Sequence, residues 1–226
     1  MTSASSAQEY LPTRLTLPAL RRAAASCKGC ELYKRATQTV FGAGPTSARV
    51  VFIGEMPGDR EDRQGQPFVG PAGRLLDEVI AAAGLERDAI YVTNAVKHFQ
   101  WEVRGKRRLH KKPRWRHVQA CKPWLNAKIT VINLRLIVCL GATAAQAVLG
   151  PDFRITRERG RVLNVPGLPA VMATYHPAAI LRAPEKEDRD RMGAGIQGRS
   201  DQRIQELEKD KLGIVINGPP IATWRR

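Results

Sequence analysis

The sequence is short of acidic residues, of cysteines and of long apolar runs. It has 21 Asp and Glu against 37 Lys and Arg, which gives a formal net charge of +16, and only 4 cysteines in 226 residues. No apolar run is long enough to span a bilayer, and residues 1–17 contain no apolar block of the signal-peptide type. We therefore expect a cytoplasmic protein without membrane contact, in which paired cysteines bind a metal rather than each other.

The positive charge is unevenly distributed. Residues 183–226 hold nine basic and eight acidic residues, so nearly all of the excess lies earlier in the chain. The most basic stretch is 101–117, with eight Lys and Arg against the single acid Glu102. We predict it to be an exposed loop, for which a phosphate backbone is the natural partner, while an ordinary solvated loop is the plainer interpretation. The residues expected to contact the polyanion are Lys106, Arg107, Arg108 and Lys111.

His110 lies near the middle of this basic stretch. It is the one side chain there that can act as an uncharged nucleophile or base near neutral pH. The neighbouring cations are expected to keep its imidazole unprotonated. Alternatively, His110 is an incidental member of a solvated loop.

Strands and helices alternate along most of the chain. Apolar runs predict strands over residues 49–54, 90–94, 134–140 and 170–174, and amphipathic patterns predict helices over 17–25, 71–85, 116–129 and 141–149. This alternation indicates an α/β fold, a three-layer αβα sandwich around a mostly parallel four-stranded sheet, within residues 18–182. Residues 1–17 are expected to form a poorly ordered arm, and 183–226 a charged extension that is helical in part.

Three polar residues follow predicted strands. Glu55, Asn94 and His176 each fall at the carboxyl end of a strand. In parallel sheets these ends lie along one edge, where ligands bind. The sequence therefore predicts a site at this edge.

Glycine and proline are dense after the first strand, in the segments 54–59 and 65–74. Such segments form rigid loops over a pocket. Phe68 lies in the second segment, away from any periodic apolar face, so it is either a platform for a flat ring or a hydrophobic anchor of the loop.

The cysteines suggest a metal centre of unspecified type. Cys27 and Cys30 have the CxxC spacing, which is used for zinc, iron–sulfur and redox sites alike. Cys121 lies near the start of a predicted helix. Cys139 lies in an apolar strand and is expected to be a core residue, so His98 is the better candidate for a fourth ligand.

Several motifs together resemble the uracil-DNA glycosylase superfamily. They are Glu55-Met56-Pro57-Gly58, Pro67-Phe68-Val69-Gly70, Thr93-Asn94, Leu140-Gly141-Ala142-Thr143-Ala144 and His176-Pro177. The resemblance covers residues 27–182 and is greatest to the iron–sulfur-bearing family 4 branch. Within that branch, Lys106-Arg107-Arg108-Leu109-His110 is similar to a loop of the X-type enzymes, with Leu109 where isoleucine is common.

The resemblance implies a structural [4Fe–4S] cluster. Cys27, Cys30, His98 and Cys121 match the positions of the family's ligands, with His98 standing where typical members have cysteine. Cys139 matches a core position. A histidine in place of one thiolate removes negative charge around the cluster and is expected to raise its potential.

The resemblance also implies a substrate and a set of roles. Uracil-containing DNA, preferably single-stranded, is the expected partner of a monomeric, nucleoid-associated enzyme of bacterial type. Phe68 would stack on the base and Asn94 would pair with its polar edge, while His176 would stabilise the departing uracil. Glu55 would stabilise the sugar cation. The resemblance further implies a base site that includes Gly54, Met56 and Asp59.

The X-type resemblance adds a covalent step, in which His110 attacks the deoxyribose C1′ and stays attached. Two departures from the family pattern affect uracil handling, Met56 in place of glutamine and Ala178 in place of serine. Two other interpretations remain open. One is a turnover family 4 glycosylase in which His110 only contacts phosphate. The other is a non-catalytic iron–sulfur protein that binds nucleic acid.

Overall fold

The computed structural model describes residues 6–185. Seven strands are present there: β1 Val50–Gly54, β2 Ile90–Asn94, β3 Trp101–Arg104, β4 Arg107–His110, β5 Leu136–Leu140, β6 Val162–Leu163 and β7 Ala170–Thr174. The α-helices are α1 Leu17–Ala24, α2 Asp59–Gln64, α3 Pro71–Ala82, α4 Trp115–Val131, α5 Ala142–Leu149, α6 Ile155–Glu158 and α7 Pro177–Arg182. Three 3₁₀ helices cover Ala7–Tyr10, Glu31–Lys34 and Arg87–Ala89.

The main sheet has the strand order β2-β1-β5-β7-β6. The strands β2, β1, β5 and β7 run parallel, as predicted, and β6 pairs antiparallel with β7. The predicted number of four strands is wrong, because the sequence pattern did not reveal the two-residue edge strand β6. The mostly parallel α/β architecture is confirmed.

Two apolar cores cover the two faces of this sheet. In β1, Val51 and Ile53 pack into a core with α1, α4 and α5, whereas Phe52 packs on the opposite side with Leu76 and Ile80 of α3. Alternate side chains of a strand point to opposite faces, so both cores are supplied by the same strands. This arrangement is the expected three-layer sandwich. Among the described residues, no helix has the length and apolar character needed to cross a bilayer.

Within the predicted arm over residues 1–17, the structure describes residues 6–17, and these pack against the rest of the chain. The Ser6 side chain caps a 3₁₀ helix in which Ala7 is fully buried, and this helix packs on α4. The Thr16 side chain then caps α1. Small side chains and local caps bind this segment to the core, and a search for apolar periodicity does not detect them. Most of the predicted extension, residues 186–226, lies outside the described residues.

The basic stretch 101–117 was predicted to be a loop, but it contains regular secondary structure. Strands β3 and β4 form an antiparallel hairpin, hereafter the basic hairpin, which joins the start of α4. Its two-residue turn is Gly105-Lys106, and Gly105 has φ +59°, a conformation that favours glycine. Because strand side chains alternate, Arg108 and His110 share one face of the hairpin.

Candidate active site

The carboxyl ends of the parallel strands meet at one cavity of about 950 Å³. Glu55 after β1, Asn94 at the end of β2 and His176 after β7 all line it, so the predicted convergence of these three residues is present. Phe68 and Met56 also line the cavity, and His110 reaches it from the basic hairpin. Parallel pairing of the strands therefore brings residues about 120 positions apart into one site.

Gly54 forms a close-packed floor of the cavity. A Cβ atom at this position would lie 2.4 Å from Asn94 Oδ1, 2.7 Å from Phe68 Cζ and 3.5 Å from His176 Nε2. The carboxamide, the phenyl ring and the imidazole thus converge on a single backbone position. Only glycine leaves room for them, because Cβ contacts under 3.0 Å force neighbouring atoms to move.

Phe68 is held in a strained backbone conformation. It has φ +59°, which is rare for a non-glycine residue, and its side chain is buried. The ring stacks near His176, with centroids 6.3 Å apart and an interplanar angle of 25°. Its loop is fixed on the far side by the Gly70 amide, which donates to Glu61 Oε1 at 2.8 Å. The ring is therefore an ordered wall of the cavity.

His176 presents a neutral imidazole to the cavity. Its Nδ1 accepts a hydrogen bond from the Ala178 amide at 3.1 Å, so the ring proton of the neutral form lies on Nε2. Burial, and to a smaller degree Arg182 and His110, lower the pKa of His176 to about 4. At neutral pH this side chain is an uncharged N–H donor directed toward Gly54.

Glu55 and His110 meet at the mouth of the cavity. Glu55 Oε1 lies 3.4 Å from His110 Nε2, and its other carboxylate oxygen accepts a hydrogen bond from the Thr143 hydroxyl at 2.5 Å. Burial is the main cause that lowers the pKa of His110, Glu55 opposes it and Arg182 adds to it. The pKa of His110 is therefore lowered, as predicted, but the causes are burial and Arg182 rather than the cations of the basic hairpin.

The sequence analysis placed Arg108 among the phosphate contacts. In the structure its side chain is instead bound by two carboxylates of the chain itself. Its guanidinium pairs with Asp59 and, at 2.7 Å, with Asp62, and only 16% of the side chain is exposed. The guanidinium also lies over the Phe99 and Trp101 rings, 5.5 and 5.3 Å from their centroids. Arg108 thus anchors the basic hairpin to α2, and the Asp59 carboxylate is engaged by it at the edge of the cavity.

The other hairpin cations differ in their surroundings. Lys106 and Arg107 are exposed, whereas Lys111 pairs with Glu102 at 2.9 Å. Three further cations line the cavity: Arg60 and Arg182, which were not predicted, and Lys112 of the predicted basic stretch. The positive surface therefore includes α2 and α7 as well as the hairpin.

Three of the predicted cluster ligands interact with one another. The Cys30 and Cys121 side chains hydrogen-bond to each other, and that bond, with the Lys97 backbone amide, lowers the pKa of Cys121 to about 7. Cys27 lies within electrostatic range of both and accepts a hydrogen bond from Trp124 Nε1 at 3.3 Å. In residues 6–185, no three His, Cys, Asp or Glu side chains are close enough for a single metal ion. A cluster binds each ligand through a different iron and needs a wider spacing.

Only one of the two ring nitrogens of His98 has a hydrogen-bond partner among the described residues. Its Nε2 is 2.9 Å from the Thr39 hydroxyl, while Nδ1 is buried without a hydrogen-bond partner among the described atoms. A histidine that binds a metal uses one nitrogen for it and orients the other by a hydrogen bond. The donor set and this orphaned nitrogen fit an iron–sulfur cluster. Cys139 is fully buried in the core, and burial raises the pKa of its thiol.

Sequence reasoning missed two residues that shape the site. Thr143 hydrogen-bonds Glu55 from the first turn of α5, and Arg182 acts on both histidines from the end of α7. Thr143 lies three residues after the parallel strand β5 ends at Leu140, and this position near a strand end is a detectable signal. Arg182 has no such signal, because α7 is a short helix that packs on α3.

Comparison with known proteins identifies the family. Residues 41–196 match the model of the uracil DNA glycosylase superfamily. The chain belongs to the uracil DNA glycosylase superfamily. The four parallel strands and the basic hairpin described above all lie within the matched residues.

Three relatives of this superfamily member are type-4 uracil-DNA glycosylases. The protein from Archaeoglobus fulgidus is 39% identical over 71% of this chain and 80% of its own length. The protein from Thermotoga maritima is 38% identical over 69% of this chain and 78% of its own length. A third, from Sulfurisphaera tokodaii, is 36% identical over 75% of this chain and 77% of its own length.

Proposed function

We propose that this protein excises uracil from DNA, preferably single-stranded, and then binds the abasic deoxyribose covalently through His110. The observation that carries the proposal is the contact of His110 with Glu55, 3.4 Å apart, at the mouth of the cavity that Asn94 and His176 line. The superfamily membership supports the excision step. The position of a nucleophilic nitrogen beside a carboxylate supports the capture step.

Base recognition depends on the floor of the cavity. A flipped uracil stacks on Phe68, and the Asn94 carboxamide pairs with its O4 and N3–H edge. Gly54 lets these two side chains approach within van der Waals distance of its backbone. Cytosine presents a donor where uracil presents an acceptor, so the same amide rejects it.

Excision depends on the neutral His176. When the C1′–N1 bond breaks, its electron pair leaves with the base and negative charge builds on the uracil oxygens. The Nε2–H group of His176 donates to that charge inside a buried site, where such a bond is strong. The Glu55 carboxylate faces the opposite charge, the cation that develops on the sugar.

Capture follows at the same carbon. The His110 Nε2 lone pair forms a bond to C1′, the resulting imidazolium gives up its Nδ1 proton to solvent, and the departed uracil anion takes up one proton. The product is a neutral N-alkyl imidazole that water does not readily cleave. A lowered pKa of His110 favours the unprotonated nucleophile.

The cluster belongs to the fold rather than to the reaction. Cys27, Cys30, Cys121 and His98 would hold it. Glycosidic cleavage needs no electrons, so the cluster would have no redox role in the reaction. When bound, it would stabilise the fold by joining the segment before β1 to α4.

A denaturing gel of the protein after incubation with a single-stranded oligonucleotide that contains one uracil tests the proposal. The wild-type protein is expected to give a gel-stable adduct. His110→Ala is expected to release uracil without an adduct, because water then reaches the sugar. Val103→Ala, on the exposed hairpin surface, is the matched control and keeps the adduct. An adduct that persists in His110→Ala contradicts capture, and strand lability without an adduct in the wild type indicates ordinary turnover.

A further inference from the structure

Two lysines are buried beside the end of β2. Lys97 has no exposed surface and Lys128 has 2%. Burying an amine costs free energy unless the amine is hydrogen-bonded. The groups that bond the two lysines therefore indicate their role. Neither residue contacts the cavity, and neither has a role in the proposed chemistry.

The two amines share one hydroxyl group but differ in one contact. Lys97 Nζ and Lys128 Nζ lie 3.1 and 3.4 Å from Thr93 Oγ1, and the Thr93 hydroxyl itself donates to the Phe41 carbonyl at 2.9 Å. Lys97 Nζ also donates to the backbone carbonyl of Asn94. Lys128 Nζ instead lies over the Phe41 ring, 3.6 Å from its centroid. Only Lys97 therefore bonds directly to Asn94.

The Asn94 carbonyl lies at the buried end of the hydrogen-bond ladder between β1 and β2. β2 is an edge strand of the main sheet, and Asn94 is its last residue. The next two amides, of Ala95 and Val96, donate to the carbonyls of Gly54 and Glu55 at 2.8 and 3.0 Å. The chain thus continues along β1, and the Lys97 side chain folds back to bond the carbonyl at the turn.

We infer that Lys97 is a positioning residue for base recognition: by bonding the Asn94 carbonyl it fixes the backbone from which the Asn94 carboxamide reaches the cavity floor. This inference rests on the proposed function, in which Asn94 pairs with uracil. The tolerance is narrow, because Asn94 Oδ1 already packs closely over Gly54. A small rotation of the Asn94 backbone moves the amide off the base edge.

A double-mutant cycle tests the inference through single-turnover uracil release from a uracil-containing oligonucleotide. Lys97→Met keeps the length of the side chain and removes its donors. It is expected to slow release by about 10- to 100-fold, the usual cost of misplacing a binding group by an ångström or less. In an Asn94→Ala background the same change is expected to have no further effect, because the group it positions is gone. Lys128→Met is the matched control, and it keeps a rate near that of the wild type.

The outcomes separate the two claims. If Lys97→Met slows release equally with and without the Asn94 side chain, Lys97 does not act through Asn94 and the inference is wrong. If Asn94→Ala alone leaves release unchanged, the proposed role of Asn94 fails, whatever Lys97 does. Thermal unfolding of each variant checks that it is folded. If Lys97→Met does not accumulate as folded protein, Lys97→Leu, which also lacks a donor, takes its place in the same cycle under the same criterion.

Discussion

The neutral state of His176 predicts how the stability of the protein depends on pH. The pKa of the buried ring is about 4 in the folded protein, against an ordinary value of 6.5. Between these values the unfolded chain binds a proton that the folded chain does not. Stability from this group is therefore complete above pH 6.5 and is lost as the pH falls toward 4. His176→Gln removes the titrating ring, and the glutamine oxygen can still accept the Ala178 amide.

The size of the effect follows from the two pKa values. Lowering the pH from about 7.5 to about 5 removes about 2 kcal/mol of folding free energy through His176 alone, by proton linkage. His98 and His110 also have lowered pKa values, but they are present in both proteins, so their contributions cancel in the difference.

Urea unfolding of the wild type and of His176→Gln at both pH values measures this difference. With a urea dependence of roughly 2 kcal/mol per molar, the wild-type midpoint is expected to fall by about 1 M more than the variant midpoint. Equal decreases in the two proteins would mean that His176 is not held neutral by burial. The argument for a neutral N–H donor in the cavity would then fail.

Three further predictions test other parts of the structure. Gly54→Ala is expected to slow uracil release by about 100-fold or more, because its Cβ displaces the base-reading groups, and unchanged single-turnover kinetics would contradict that packing. Cys121→Ala is expected to lose the brown colour and the broad visible absorption of a cluster, whereas Cys139→Ala keeps both; the reverse pattern would overturn the ligand assignment. Arg108→Ala leaves a buried carboxylate unpaired and is expected to cost about 3 kcal/mol in urea unfolding, whereas the exposed control Arg107→Ala changes stability by less than about 0.5 kcal/mol. Equal costs for the two arginines would remove the anchor role.

The central strands could be predicted because burial on both faces leaves a plain apolar pattern. The strands Ile90–Asn94 and Ala170–Thr174 match their predicted bounds, and they place Asn94 and His176 at the sheet edge as expected. The predicted helix over 71–85 ends earlier, at Ala82, because Gly84 takes a left-handed conformation with φ +71°. Local signals of this kind are visible in the sequence.

The basic hairpin could not be predicted in the same way. Half of its strand residues are charged, and although Trp101–Arg104 alternates apolar and polar side chains, Arg107–His110 begins with two arginines and does not. What fixes the hairpin is the burial of Arg108 against Asp59 and Asp62, which lie more than 40 residues earlier. The sequence analysis placed Arg108 with Lys106, Arg107 and Lys111 as phosphate contacts, because charge alone does not distinguish an anchor from a contact. The same limit hid Arg182, whose role depends on its tertiary neighbours.

Because Arg108 anchors the basic hairpin, the site residues are positioned by two separate parts of the structure. Gly54, Asn94 and His176 are set by the parallel sheet, whose strands are fixed by two apolar cores. His110 is set separately by the hairpin, and its contact with the sheet-edge group is through Glu55. Under the proposed function, base release therefore depends on the sheet, and the fate of the sugar depends on the hairpin. Covalent capture is then an addition to an intact excision site, which is why removing His110 is expected to leave uracil release in place.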